Sequence, residues 1–406
     1  MSAFGIQRSP RTILFGAGQR AALPQLVRPY GERVMICTDN RFGADLLLSG
    51  IADGLRDAGL TVGIYDRTLA ELPMSCIDEA AEAARDIRPD VIVAIGGGSC
   101  IDLGKLVAVR LAYDGPLSDL YGEFKVPAGV LPVIAVPTTS GTGSEVTPVA
   151  VLDNPATGGK VGISSPHLIP QAAVCDPELT LSCPPGLTAN TGADAMTHAI
   201  EAFTTLRREP TPELGVGHVF VGNNVFSHMQ AATAIRCLAG HLERAVGDGT
   251  DLVAREQVMM GALLAGQAFG TAGTAAAHAI QYPVGAFTHT PHGLGVALLL
   301  PYVMEHNRPA CVEIFAEIAG LFGLPDAPAE QRSRQAIDAV ERLFGRIGIP
   351  KTLADIGVRA EDLDIIAEQS LKAQRLVKNN PRPLDLDGIQ RIIAAAFEGN
   401  RDLLRS

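Results

Sequence analysis

Four residues able to bind a metal, Asp194, His198, His278 and His292, fall in two stretches, TGADAMTHAIEAF (191 to 203) and HAIQYPVGAFTHTPHG (278 to 293). Asp194 and His198 are four residues apart in an Ala/Met/Ile-rich segment of helical periodicity, so both side chains leave one helix face about a turn apart. His278 belongs to a second Ala-rich helical stretch. His292 follows a Pro and precedes a Gly, which suits a turn leading into an apolar helix over 293 to 304. One carboxylate oxygen and three imidazoles suit a borderline divalent cation such as Fe(II) or Zn(II), and such a set can leave a coordination position for substrate. Taken singly, each His on an apolar helix is equally well explained as a satisfied core residue.

A second group of residues suits a nucleotide. GGGSCID (96 to 102) directly follows the strand-like DVIVAI and opens a helix. Gly97, Gly98 and Ser99 would let the backbone approach a pyrophosphate, whose charge the free N–H groups and the helix N-terminus stabilise. A second Gly/Ser/Thr loop, PTTSGTGSEVT (137 to 147), follows another strand, and the hydroxyls and amides of Thr138, Thr139 and Thr142 suit phosphate, ribose or a nicotinamide carboxamide. Asp39 ends the first candidate strand. An acidic residue there accepts hydrogen bonds from adenosine ribose hydroxyls and repels a 2′-phosphate, which favours NAD over NADP. The alternative is an Asp that only caps the turn TDNRFG.

The elements that must carry these residues change character along the chain. Candidate strands at 33–38, 61–65, 90–95 and 131–136 alternate with helices near 43–58, 76–87 and 99–112, and extended pieces follow at 149–153, 160–164 and 172–175. This predicts an α/β domain with a mainly parallel, Rossmann-like sheet covered on both faces. The breaker LSCPPGLTAN (181 to 190) then precedes an almost purely helical remainder, with helices near 187–205, 227–246, 252–269, 271–281, 293–306, 310–322, 331–347, 361–372 and 387–398. The expected domains are therefore 1–184, binding NAD, and 185–406, all-helical and metal-binding. Segment 206–226 lacks helical periodicity and reads as a loop, either a lid or a surface insertion.

The 406 residues, 47% of them hydrophobic, suffice for two substantial cores. A net charge of −11 without a basic run argues against nucleic acid and anionic membranes as partners. The seven cysteines are scattered without a CxxC, so reduced thiols in a cytoplasmic setting are expected. No segment has the roughly eighteen uninterrupted apolar residues of a membrane span, and the N-terminus lacks a signal-peptide core.

The two histidine stretches resemble the signature regions of the iron-containing, group III alcohol dehydrogenases, in which an Asp and a His on one helix and two later His hold the metal. The similarity extends to both Gly-rich loops, including Asp102 and Ser144, and spans roughly residues 8 to 310. It implies a dehydroquinate synthase-like architecture, with Fe(II), or alternatively Zn(II), on Asp194, His198, His278 and His292. It also implies a nicotinamide cofactor on the two loops, and Lys160 matches a family position near that cofactor. One position departs from the pattern: many members have a second His four residues after the ligand that His278 matches, and here it is Tyr282. A phenol titrates at about pH 10, so Tyr282 is expected to orient substrate and not to act as a base.

The expected reaction is hydride transfer between an alcohol, held as its alkoxide by the metal, and nicotinamide C4, in a cleft between the domains. The substrates would be small alcohols and aldehydes. Tyr282 and an insertion ending GNNVFS are also similar to the hydroxyacid-oxoacid transhydrogenase branch, which adds ω- or γ-hydroxy acids. Among fold relatives, the intact ligand set argues against metal-independent maleylacetate reductases, and its composition against zinc-dependent glycerol dehydrogenases. The same set argues against a non-catalytic NAD-binding sensor. A homodimer or higher homo-oligomer is expected.

Overall fold

Short runs of Val, Ile and Ala become buried parallel strands, because each crossover helix returns the chain to the same sheet with its apolar face covering the strands. The computed structural model describes residues 3–154 and 159–405. Every candidate site residue lies within them, whereas the first residues of the expected 1–184 domain and the last of 185–406 lie outside. The chain divides into two compact units: Arg8–Ser182 with Val216–Val219, and the N-terminal stretch through Gln7 with Cys183–Gly215 and Phe220–Ser406.

The sheet unit contains β1 (Thr12–Phe15), β2 (Arg33–Cys37), β3 (Thr61–Tyr65), β4 (Val91–Gly96), β5 (Gly122–Glu123), β6 (Val133–Pro137), β7 (Val149–Asn154), β8 (Gly159–Ser164) and β9 (Ala172–Cys175). Between them lie α1 (Leu23–Val27), α2 (Asn40–Gly43), α3 (Leu46–Asp57), α4 (Met74–Ile87) and α5 (Gly98–Ala112). Six strands form one wholly parallel sheet in the order β1-β9-β6-β4-β2-β3. Strands β5, β8 and β7 form a separate small sheet, with β7 antiparallel to β8. Alternate residues of β2 and β4 feed two cores: Met35, Ile92 and Ala94 pack with α4 and α5, while Val34, Ile36, Val91 and Val93 pack with Leu48, Ile51 and Leu55 of α3. Burial on both faces explains why these strands read as continuous apolar runs. Edge strand β1 is not among the expected strands; TILF is too short, and too exposed at the edge, to show a period.

The order places β4 between β2 and β6, so chain direction across the sheet reverses beside β4. Ligands of open parallel sheets bind at the carboxyl ends of strands around such a reversal. The turns after β2, β4 and β6, which carry Asp39, Gly97–Ser99 and Thr138–Thr142, all leave from that end.

The remaining helices are α6 (Pro185–Thr204), α7 (Leu214–Gly217), α8 (Val225–Gly247), α9 (Leu252–Ala272), α10 (Ala276–Thr288), α11 (His292–Asn307), α12 (Val312–Leu321), α13 (Ala329–Arg346), α14 (Leu363–Ser370), α15 (Gln374–Asn379) and α16 (Leu386–Glu398). Helix α6 is buried on almost every side and packs against α8, α9 and α11. That is the environment its apolar, small-residue sequence requires.

Three local expectations change. The helix expected over 271–281 starts at Ala276 and continues to Thr288 through Pro283; a proline forfeits one backbone hydrogen bond, and the buried packing of α10 outweighs that loss. His292 is the first residue of α11, not part of a preceding turn. Segment 206–226 is tied down: Arg207 pairs with Gly222 in an antiparallel bridge, and the Asn223 amide donates to the carbonyls of Ala202 and Phe203.

Candidate metal and cofactor sites

Asp194 and His198 project from one face of α6, as their spacing requires. The rest of the cluster depends on how closely α11 approaches that helix. Gly293 makes the approach possible: a Cβ there would lie 2.3 Å from the Asn190 carbonyl oxygen and 3.0 Å from Asp194 Cβ. With no side chain in the way, His292 at the start of α11 reaches Asp194.

Three imidazole Nε2 atoms surround one carboxylate oxygen. Asp194 Oδ1 lies 3.8 Å from His198 Nε2, 3.9 Å from His278 Nε2 and 4.0 Å from His292 Nε2. The donors of Asp194, His278 and His292 all fall within 4.8 Å of one another. A tetrahedral ion with bonds of about 2.1 Å needs donors about 3.4 Å apart. The spacing of these three is therefore slightly wide, and His198, though close to Asp194, lies outside their group.

The strongest sign of a cation is what these atoms lack. Asp194 Oδ1 and His278 Nε2 are both buried and neither has a hydrogen-bond partner. Leaving two such acceptors facing each other away from water costs on the order of 1–3 kcal/mol each. A divalent ion satisfies both at once, so the donor set fits a metal.

Glu201, which spacing analysis overlooked, explains the orientation of His278. It lies seven residues after Asp194 on the same face of α6 and is buried. Its Oε2 accepts from His278 Nδ1 at 2.6 Å and from the Ala275 N–H at 2.8 Å, while its Oε1 accepts from the Ala277 N–H at 2.7 Å. Burial alone would raise the Glu201 pKa, but the His278 ring and the two backbone N–H groups outweigh it and hold the carboxyl below its usual range. An ionised Glu201 keeps the proton of His278 on Nδ1, which leaves the Nε2 lone pair facing Asp194. The same contacts close the first turn of α10. The Asp-x-x-x-His-x-x-Glu spacing of Asp194, His198 and Glu201 was the available signal.

Apolar rings line the cluster. Phe269 stacks on His198 with centroids 4.2 Å apart, and His198 stacks on His278 at 4.7 Å. Tyr282 lies one turn beyond His278 with its ring 6.3 Å from that of His292, and it also packs against Leu376 and Val377. His289 follows the C-terminus of α10 with φ 54°.

In the sheet unit the glycine turn and the threonine loop meet. Gly97 and Gly98 open α5 without a side-chain cap, so its first N–H groups are not claimed by a side chain at the N-cap. A Cβ at Gly98 would lie 2.6 Å from Thr142 Cγ2, so glycine is needed where the two loops touch. Gly97, Gly98, Ser99, Thr139 and Thr142 are partly accessible, whereas Thr138 is fully buried.

Four residues expected near the cofactor have structural partners. Asp39 Oδ1 caps α2 by accepting from the Phe42 N–H at 2.8 Å, and Cys100 Sγ lies 3.8 Å from Oδ2. The turn-capping alternative for Asp39 is therefore present, with the second oxygen engaged only weakly. Lys160 pairs with Glu71 at 2.6 Å. Ser144 Oγ donates to Asp102 Oδ1 at 2.5 Å, and Asp102 Oδ2 accepts from the Val151 N–H at 2.9 Å. Asp102 and Ser144 thus bond to each other, and Asp102 also to the backbone of β7.

Comparison with known proteins shows the family of the chain. Residues 10–177 match the iron-containing alcohol dehydrogenase family, and residues 217–397 match the C-terminal region of the same family. The chain is 36% identical over 385 residues to long-chain-alcohol dehydrogenase 1 of Geobacillus thermodenitrificans, covering 93% of this chain and 92% of the relative. Its structure is similar to that of a 1,3-propanediol oxidoreductase, with TM-score 0.90, 32% identity and coverage of 97% and 100% of the two chains. It is also similar to a sulfoacetaldehyde reductase from Bifidobacterium kashiwanohense solved in complex with NAD+, with TM-score 0.83, 30% identity and coverage of 98% and 99%. With a parallel-sheet unit, a helical unit and the buried Asp/His cluster in place, the chain is an oxidoreductase acting on CH–OH groups and belongs to the iron-containing alcohol dehydrogenase family.

Proposed function

We propose that the protein interconverts small alcohols and aldehydes with NAD as hydride carrier and Fe(II) as its resident metal, Zn(II) being the alternative. The observation that carries the metal is the pair of buried, unpartnered acceptors, Asp194 Oδ1 and His278 Nε2, with His198 and His292 completing the donor set. Three nitrogens and one oxygen, without a thiolate, suit Fe(II). When bound, such an ion supplies Lewis-acid polarisation of an alcohol or carbonyl oxygen. The protein's own groups do the positioning. Glu201 fixes the His278 tautomer, Phe269 shields the His198 ring from water, and Tyr282 offers a phenol to orient the substrate oxygen.

In the sheet unit, Gly97, Gly98 and Ser99 present the N-terminus of α5 to a pyrophosphate, with Thr138, Thr139 and Thr142 alongside. Support for NAD comes from the relative solved with NAD+ and from the carboxylate of Asp39 at the end of β2. The relatives' names range over long-chain alcohols, propanediol and sulfoacetaldehyde, so the proposal stays at the level of a primary alcohol or aldehyde, with hydroxy acids in the same screen. Seven scattered cysteines without a CxxC suit a cytoplasmic setting. The position of β1 at the edge of the sheet suits association with a second copy.

The deciding experiment follows NAD(H)-linked turnover of alcohols, diols, aldehydes and hydroxy acids before and after chelation. Turnover is expected to vanish with the metal and to return with Fe(II) more fully than with Zn(II). Undiminished turnover by protein stripped of metal would sink the proposal. Cofactor choice has its own test. Asp39→Asn keeps the cap on α2 but removes the charge, so the NADP-to-NAD ratio of kcat/KM should rise by about tenfold, the equivalent of ~1.4 kcal/mol of relieved repulsion. An unchanged ratio would confine Asp39 to its cap.

A further inference from the structure

Lys105 is a buried charge that none of the chemistry above uses. Its side chain is 0% exposed and lies on α5 three residues after Asp102. An ammonium has three protons, and here each has an acceptor: the Val149 carbonyl at 2.7 Å, Ser144 Oγ at 2.9 Å and the Thr147 carbonyl at 3.1 Å. All three belong to residues 144–149, the last part of the threonine loop and the first residue of β7. Asp102 adds two more ties to the same segment, through Ser144 Oγ and the Val151 N–H. Lys105 and Asp102 therefore fasten residues 144–151 to the body of α5.

Burial pulls the Lys105 pKa down to about 8, against the attraction of Asp102 and Glu145, so the amine still carries its proton at neutral pH. A site that needed only packing would be better served by Leu or Met, since desolvating an ammonium is costly even when it is fully bonded. What a fully bonded ammonium adds is a fixed geometry. The helix that Lys105 braces begins at Gly98, and Gly98 is where the threonine loop touches the glycine turn through Thr142. A shift of the 144–151 segment along α5 would therefore move Thr139 and Thr142 relative to Gly97–Ser99.

We propose that Lys105 is a positioning residue for the dinucleotide: without touching it, the ammonium sets the spacing between the glycine turn and the threonine loop, and so the affinity for NAD(H). This rests on the dinucleotide reading of the sheet unit. Preorganised sites lose affinity when their parts must be reordered on binding. Lys105→Met replaces the ammonium by an apolar side chain of similar length and leaves three acceptors without their donor.

The test is a fluorescence titration with NADH, well below the melting temperature of each protein, with bound divalent metal measured in parallel. Lys105→Met is expected to raise the NADH Kd by about tenfold or more, with KM for NAD rising and kcat at saturating NAD nearly kept, while metal content stays at the wild-type level. A purely structural lysine would lower the melting temperature and leave the Kd alone, and that result would overturn the proposal. If Lys105→Met does not fold, Ser144→Ala takes its place, since it removes one acceptor of the ammonium and the bridge to Asp102. A Kd rise of roughly threefold or more is then expected, and no rise would overturn the proposal. Wild-type protein that fails to bind NADH would overturn it together with the dinucleotide reading, whereas normal binding by wild type and variant alike would overturn the positioning role only.

Discussion

Asp194→Ala is expected to emerge from purification without stoichiometric divalent metal and with alcohol–aldehyde turnover reduced at least ~10²-fold, while its NADH affinity stays within about twofold of wild type. Asp194 is the one anionic donor of the set, and its Oδ1 is the atom that all three imidazoles face. Losing a ligand should cost more than the roughly 10–100-fold in metal affinity typical of removing an outer hydrogen-bond partner. The truncated site retains three neutral imidazoles, which neither balance the ion's charge nor fill its coordination. NADH binding survives because Gly97–Ser99 and Thr138–Thr142 belong to the sheet unit and Asp194 to the helical one. His198→Ala should behave in the same way. Metal analysis after dialysis against a chelator, beside NADH titration, separates the outcomes. Wild-type metal content and activity in Asp194→Ala would remove the cluster from the mechanism, and parallel loss of NADH binding would point to unfolding.

The parts of this site that were legible from sequence are those governed by local geometry. Asp194 and His198 had to share a face because they are one turn apart on a helix, and the glycine turn after β4 announced itself by following an apolar strand. The convergence of His278 and His292 on Asp194 is a tertiary fact. It depends on Gly293 allowing α11 against α6, and spacing alone left each His explicable as core; the family resemblance supplied the association. Glu201 stayed hidden because a glutamate near the end of a helix ordinarily faces water, whereas tertiary packing buries this one against the start of α10. The helix expected over 271–281 runs on to Thr288, because packing carries α10 past Pro283. For Asp102 and Ser144, motif resemblance suggests the cofactor, and the structure adds that the two are hydrogen-bonded to each other and that Asp102 also accepts from the Val151 N–H. Motifs mark where a site is more reliably than what each residue in it does.

The second large effect is expected from Glu201→Gln, a substitution that barely changes shape. The carboxylate serves three donors at once: Ala275 N–H and His278 Nδ1–H on Oε2, and Ala277 N–H on Oε1. An amide has one acceptor oxygen. If that oxygen takes the Oε2 position, the NH2 group confronts the Ala277 N–H. If it takes the Oε1 position, the NH2 group confronts Ala275 and drives the His278 proton from Nδ1 to Nε2, where it blocks the lone pair. In either arrangement, His278 is held less well as a metal ligand. Metal affinity, measured with Co(II) or Zn(II) in competition with a chelator, should fall by about 10–100-fold, and turnover at limiting metal should fall with it. Saturating metal should restore part of the activity, and NADH affinity should not change. The role of Glu201 at the start of α10 predicts a different signature, a lower melting temperature alone, because the N–H groups of Ala275 and Ala277 lose a partner whether or not a metal is present. A variant with reduced thermal stability and wild-type metal affinity would therefore assign Glu201 to the helix and leave the orientation of His278 to the packing of α10 itself.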